Sequence, residues 1–285
     1  MKLATFTHQG TTRIGVVDGQ EIVDLAVAAP ALPHDMIALL ETPGDPLDMV
    51  RRAAEAGGTA ARIALADVHL EAPVLRPRKF LAIGLNYADH IAETERERPE
   101  FPVFFNKQVT CVHGPYDAIV RPRVSRAMDY EGELGFVIGR RCRHVQRERA
   151  HEVIAGFLVV NDVTIRDWQR KAPTMTLGKS FDTHGPIGPW LVTGDEVGDP
   201  HALELRTFVN GQERQHSNTR HLLFNCYEMI ETLSTAFTLE PGDVVSTGTP
   251  SGVGYPTRSW LVPGDVVRVE IERIGAIENK VVDET

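Results

Sequence analysis

The chain of 285 residues is long enough for about two domains at roughly 150 residues each. Hydrophobic residues at 42% and charged residues at 24% are an ordinary globular balance, which excludes disorder as the main state and low-complexity architectures. Thirty Lys and Arg against 39 Asp and Glu leave a net charge of −9, which repels phosphate backbones and argues against nucleic-acid binding, although a local basic pocket can still capture a small anion.

The opening Met1–His8 lacks a secretory apolar core, and no run of about 18 apolar residues occurs. Neither export nor a membrane span is therefore expected, and the cytoplasm is the default location. Thr12–Val17 and Glu21–Leu25 read as strands around the hairpin signal Asp18-Gly19. Helices are expected at about Pro33–Glu41 and Pro46–Ala56, the second stopping at Gly57-Gly58. The Pro-spaced stretch Ala72–Arg78 reads as an extended linker, dividing a small N-terminal α+β domain, 1–72, from a larger domain, 73–285.

Beyond Lys79, short apolar or alternating runs dominate. Phe80–Gly84, Glu131–Gly139, Gly156–Asn161, Trp190–Thr193, Leu203–Asn210, Asp243–Thr247 and Val266–Glu272 read as strands, and Val209-Asn210-Gly211-Gln212 as a hairpin turn. Helical patterns are fewer: Asn86–Glu97, Arg147–Ile154 and Leu222–Thr235. Many short strands with few helices point to an α+β, mainly β chain with a sandwich-like or barrel-like core. Cys111, Cys142 and Cys226 contain no C-x-x-C pair and read as free, buried thiols of a reducing compartment.

The most informative segment is Asp129-Tyr130-Glu131-Gly132-Glu133-Leu134-Gly135-Phe136-Val137-Ile138-Gly139. Read as a strand, it points Glu131 and Glu133 to one face. A solvated face is the plain alternative. The next strand ends in Asn161-Asp162, and a carboxylate at the end of a buried strand often faces a site. Glu131, Glu133 and Asp162, with no Cys or His close in sequence, form an all-oxygen set that suits Mg²⁺ or Mn²⁺, or Ca²⁺, far better than Zn²⁺. Arg166 and Gln169 follow at helical spacing. His90 and Glu93 share a helix face, an arrangement in which the carboxylate orients the imidazole and raises its basicity; a surface contact is the plain alternative. The charge-dense Thr94–Glu100 is either a solvated segment or a lid. The loop Ser246–Gly254 offers amides and hydroxyls to an anion, but it lacks the Gly-Lys-Ser/Thr ending of a phosphate loop. His216 and His221, five residues apart, fit no helix face and read as surface or subunit-contact residues. His184 lies near the Lys179 loop without an assigned role.

Five segments in order resemble the fumarylacetoacetate hydrolase family: Ile83–His90, Asp129–Leu134, Asn161–Gln169, Gly178–Thr183 and Thr247–Gly254. The resemblance covers about residues 79–282, and the first 70 resemble the small variable domain of many members. It implies a mixed β-sandwich or roll core, a homodimer, and a divalent metal on Glu131, Glu133 and Asp162. It also implies that Asn86, Tyr87, Arg166, Gln169, Lys179, Gly248 and Thr249 hold substrate, and that His90, Glu93 and Lys179 act in catalysis, as in the shorter members. The further carboxylate ligand of larger relatives has no match.

The reaction expected on this basis is hydrolytic C–C cleavage of a small anionic acylpyruvate or 2,4-diketo acid. His90, oriented by Glu93, takes a proton from water, and the metal with Lys179 steadies the departing enolate. Three carboxylates and a dication sum to −1, and Arg166 with Lys179 brings the site to +1, which suits an anion. Decarboxylation or tautomerisation of an oxaloacetate-type β-keto acid is the alternative on the same metal site, and a binding module without chemistry is a third reading.

Overall fold

A computed structural model describes residues 1–93 and 97–285. Its strands are β1 (Lys2–His8), β2 (Thr11–Asp18), β3 (Glu21–Asp24), β4 (Arg62–Ala64), β5 (His69–Leu70), β6 (Phe80–Gly84), β7 (Val103–Lys107), β8 (Val112–His113), β9 (Ile119–Arg121), β10 (Met128–Asp129), β11 (Gly132–Ile138), β12 (Ile154–Asn161), β13 (Thr164–Ile165), β14 (Gly185–Val192), β15 (Glu204–Val209), β16 (Gln212–Asn218), β17 (Val244–Ser246), β18 (Val266–Ile271) and β19 (Gly275–Asp283). The α-helices are α1 (Leu25–Ala28), α2 (Met36–Leu40), α3 (Pro46–Ala56), α4 (Ala88–Glu93), α5 (Arg166–Gln169), α6 (Gly194–Val197) and α7 (Cys226–Ala236). No helix among the described residues is long and apolar enough to cross a membrane.

One large sheet runs β4-β3-β2-β1-β14-β12-β11-β17-β6-β7, with β5 added on β1 and β8 on β14. A second runs β16-β15-β18-β19-β9, and β10 pairs β13. The large sheet stays open at both ends, so the architecture is a mixed, mainly antiparallel α+β sandwich rather than a barrel. Strands β11 and β12 lie at its centre and are buried on both faces, which is why they read as nearly continuous apolar runs. Leu134, Phe136, Phe157 and Val159 face Leu205, Val209, Val267 and Val269 of the second sheet. On the opposite face, Val137, Leu158 and Val160 join a cluster with Leu39, Leu40 and Val50 of the N-terminal helices.

Local sequence explains most element boundaries. Helix α3 begins with Pro46 after Asp45, whose side chain accepts from Asp48 N, and it ends at Gly57. Helix α7 starts only at Cys226, because Asn225 and Glu228 form a capping box; Leu222 and Leu223 fit the helical period but lie outside, with Leu222 bridging Tyr87 instead. Arg147–Val153 winds as a 3₁₀ helix rather than an α-helix. The strand expected at Trp190–Thr193 begins earlier, at Gly185. Strands β1, β7, β16 and β19 were not expected; in β7 and β16 polar, exposed positions break the alternation at several points.

The first 70 residues form no separate sheet. Strand β1 pairs antiparallel with β14, placing Lys2 opposite Val192 and Leu3 opposite Leu191. The small N-terminal part thus extends the catalytic sheet across the Pro-rich stretch.

Candidate active site

The antiparallel register builds the carboxylate cluster. Gly132 opposes Asn161 and Glu133 opposes Val160, while Asp162 N donates to Glu131 O at 2.9 Å just beyond the paired residues. Residues 131 and 162 therefore stand opposite one another, with Glu133 two positions along on the same face. Gly132 has no room for a side chain, since a Cβ there would come within 2.2 Å of Thr207 Oγ1 on the second sheet.

All three carboxylates are buried, and one ligand oxygen from each lies within 4.8 Å of the others. Buried charge must be compensated. Lys179 Nζ bridges Glu131 and Asp162, reaching Asp162 Oδ2 at 2.7 Å. Arg166 Nη1 meets Glu131 Oε1 at 2.6 Å, and its Nη2 meets Asp129 Oδ2 at 2.7 Å. Burial alone would raise the Glu131 pKa, but Arg166 and Lys179 overcome it and hold it down to about 2. Glu133 goes the other way: burial, then the neighbouring Asp162 and Glu131 charges, push it well above the usual carboxylate range. Ser246 Oγ and Gly248 N at 2.8 Å both bind its Oε2. Burial would lower the Lys179 pKa, yet the Asp162 and Glu131 charges raise it.

This set fits a hard dication. The donors are oxygens and they converge in a buried place, where the Asp162 and Glu131 charges beside Glu133 mark an excess of negative charge. Tyr87 Oη and Asn161 Nδ2, on buried flanking residues, have no hydrogen-bond partner among the described residues.

Glu131, Glu133, Arg166, Gln169, Lys179, Thr249 and His90 line one cavity of about 480 Å³. His90 comes from α4, and its Nδ1 lies 3.3 Å from Glu93 Oε2. Glu93 Oε1 accepts from Gly252 N at 2.9 Å, which ties α4 to the loop after β17. Thr94, Glu95 and Arg96 of the expected lid lie outside the described residues.

Three residues expected to touch substrate stand behind the cavity instead. The Asn86 amide is committed to backbone: Nδ2 donates to Thr247 O at 2.8 Å and Phe224 O at 3.0 Å, while Oδ1 accepts from Phe224 N at 2.8 Å. Tyr87 is fully buried, and burial, with the charge of Glu133 behind it, raises its hydroxyl well above the usual value. Gly248 supports Glu133 through its amide. His184 is buried outside the cavity, and burial pushes it down to about 3. His216 is a half-exposed partner of Glu204 at 2.9 Å.

Sequence reasoning missed Lys107, Asp129 and Gln215. Buried Lys107 Nζ contacts Asp162 Oδ1 at 2.6 Å, His184 O at 3.1 Å and Lys179 O. Asp129 accepts from Arg166 and, at 2.8 Å, from Gly254 N. Gln215 accepts from Gly132 N at 3.0 Å and donates to Thr249 Oγ1 at 2.8 Å. A lone Lys closing the aromatic run Val103–Lys107, and Asp129 two residues before Glu131, were the legible signals among these.

A mixed sandwich with three convergent buried carboxylates and compensating cations, two of the carboxylates lining one cavity with His90, is a frame whose oxygen donors suit a divalent ion. Residues 79–282 match the family model "Fumarylacetoacetate (FAA) hydrolase C-terminal", and residues 1–73 match "Rv2993c-like, N-terminal". The chain belongs to the fumarylacetoacetate hydrolase family. It is 42% identical over 292 residues to the mitochondrial oxaloacetate tautomerase Fahd2a of Rattus norvegicus, covering 99% of this chain and 92% of the relative. The crystal structure of maleylpyruvate hydrolase from Sphingobium sp. SYK-6 in complex with manganese(II) and pyruvate superimposes with a TM-score of 0.84 at 35% identity, covering 100% of both chains. A 5-carboxymethyl-2-hydroxymuconate delta-isomerase from Mycobacterium smegmatis gives 0.80 at 36% identity, again over 100% of both chains.

Proposed function

We propose that the chain hydrolyses a C–C bond of a small acylpyruvate or 2,4-diketo acid, giving a pyruvate-type keto acid and a carboxylic acid. The observation that carries this reading is that His90, whose Nδ1 lies against Glu93, lines one cavity with Glu131 and Glu133 of the three-carboxylate cluster. Glu131, Glu133 and Asp162 would hold Mg²⁺ or Mn²⁺, which would supply Lewis acidity toward the oxygens of a 2-keto acid.

The chain's own residues do the rest. Glu93 holds His90 Nδ1 and so assigns proton transfer to Nε2, which takes a proton from water; the hydroxide adds to the distal carbonyl. Arg166 and Gln169, hydrogen-bonded to each other at 3.2 Å, orient the carboxylate end of the substrate. Lys179 sits where negative charge develops as the C–C bond breaks. Four carboxylates, counting Asp129, face the three cations Arg166, Lys107 and Lys179; a dication makes the site net positive and receptive to an anion.

Tautomerisation of an oxaloacetate-type acid is a second reading on the same residues, favoured by the similarity to the rat tautomerase. His90 would then move a proton between carbon and oxygen. Mn²⁺-loaded protein incubated with acylpyruvates and with oxaloacetate separates the two. Pyruvate with a carboxylic acid supports hydrolysis, keto–enol interconversion without cleavage supports the second reading, and no change in either substrate refutes both. His90→Ala is expected to lower turnover by roughly 10²–10⁴-fold, and full turnover in that variant sinks the general-base role.

A further inference from the structure

Strand β16 carries a bulge next to the site. Thr207 of β15 pairs with Gln215 and Phe208 with Glu213, so Arg214 is the extra residue. A bulge re-aims the side chains beside it. Arg214 and His216 are exposed, whereas Gln215 between them is buried. Its side chain reaches Gly132, the residue that separates Glu131 from Glu133. The ladder between β11 and β17 ends where Gly135 faces Ser246, so beyond it the N–H and C=O of buried Gly132 still need partners. Gly132 N donates to Gln215 Oε1 at 3.0 Å, Gln215 Nε2 donates to Thr249 Oγ1 at 2.8 Å, and Thr249 Oγ1 donates back to Gly132 O at 2.9 Å. The three bonds close a ring that takes both polar groups of the glycine. Gln215 Nε2 also donates to Pro250 O at 2.9 Å. These partners fix the amide in one orientation, because Gly132 N–H needs an oxygen and Pro250 O needs a proton.

We propose that Gln215 is a positioning residue for the acidic cluster. Its amide, with Thr249, sets the backbone from which Glu131 and Glu133 project. Through Pro250 it also holds the loop whose Gly252 N binds Glu93, the carboxylate against His90. One neutral group of the second sheet thus keeps the carboxylates and the His90 support in a single frame, without touching substrate or metal. This deepens the function proposed above and rests on it for the presence of a dication on the cluster. Outer partners that orient ligands in this way are worth about 10–100-fold in metal affinity.

The test is a double-mutant cycle on the full chain, with the Kd for Mn²⁺ read by calorimetry in the absence of substrate. Gln215→Met keeps the length of the side chain without its hydrogen bonds, and Thr249→Val keeps the shape without the hydroxyl. Each opens the same ring, so each should weaken Mn²⁺ binding by about tenfold, and the double variant should also lose about tenfold instead of the roughly hundredfold product of independent sites. Thr249→Ser, which keeps the hydroxyl, should bind Mn²⁺ within about twofold of wild type. Melting of the metal-free variants is recorded alongside, because an amide that serves stability alone lowers the melting temperature and leaves the Kd unchanged. Mn²⁺ affinity within twofold of wild type in Gln215→Met, or losses that multiply in the double variant, overturn the proposal. Should Gln215→Met not fold, equal Mn²⁺ affinities in Thr249→Val and Thr249→Ser overturn it, and a tenfold gap between them upholds it. A wild type that binds no Mn²⁺ overturns it together with the metal reading, whereas a coupled cycle in a protein that cleaves no diketo acid upholds the positioning role and refutes the hydrolase reading.

Discussion

Lys107 closes an aromatic strand, and its ammonium is surrounded by three oxygens: Asp162 Oδ1, His184 O and Lys179 O. One ammonium thereby fixes a carboxylate of the acidic cluster and the loop that carries Lys179. Outer partners of this kind orient ligands and tune their affinity. Lys107→Met is expected to weaken Mn²⁺ binding by about 10–100-fold, read by calorimetry on the purified protein. Affinity within twofold of wild type would show that Asp162 is oriented without it. The carboxylates themselves were legible in the sequence, because Glu-x-Glu on a strand and Asp at the end of the next are local patterns. Their compensation was only half legible. Arg166 and Lys179 lie near Asp162 in the chain, but Lys107 reaches Asp162 through a tertiary contact that no spacing records.

The loop after β17 and the short helix α4 form one unit. Gly252 N donates to Glu93 Oε1 at 2.9 Å and Ser251 Oγ to Asp89 Oδ2 at 3.2 Å, so the carboxylate that orients His90 is itself held by the loop. Gly252 has φ +97, and a Cβ there would come within 1.9 Å of Arg214 O. The loop therefore cannot accept Gly252→Ala without moving its amide away from Glu93. That variant is expected to lose turnover by about tenfold or more, as a small misplacement of a catalytic group does, with Mn²⁺ affinity kept. Gly211→Ala, at φ +75 with nothing within 4 Å of the added carbon, is the matched control for backbone strain alone. Turnover that falls equally in both would show that the Gly252 contact carries nothing. Elements with a strong local signature were readable: the hairpin at Asp18-Gly19, helix α3 with its Asp and Gly boundaries, and the apolar β11 and β12. Asn86 was misplaced because its strand-to-helix turn looks the same whether the amide meets substrate or, as here, two carbonyls and an amide of distant segments.

At the scale of the whole molecule, the N-terminal part and the catalytic part share a sheet and a core. Leu3, Ile14 and Leu39 pack in the same cluster as Leu158, Val160, Ile187 and Leu191. A chain shortened to residues 73–285 would leave β14 with an unpaired edge and uncover that cluster. It is expected to aggregate and to lose cooperative melting, as size-exclusion chromatography and calorimetry would read. A monodisperse fragment melting at the wild-type temperature would show instead that the two parts are independent. Sequence reading divided the chain at the Pro-rich stretch but could not show that hydrogen bonds bypass it, since pairing between residues 2 and 192 leaves no local trace.

The β1–β14 ladder also sets a rule for exchange. Replacing the first seventy residues with another module is a question of strand register, not of linker length. Any substitute must bring its own antiparallel strand to Leu191 and Val192, with apolar side chains falling on the correct face. A graft one residue out of step would turn its greasy side to water and leave the neighbouring strand bare, however well the joint itself was built.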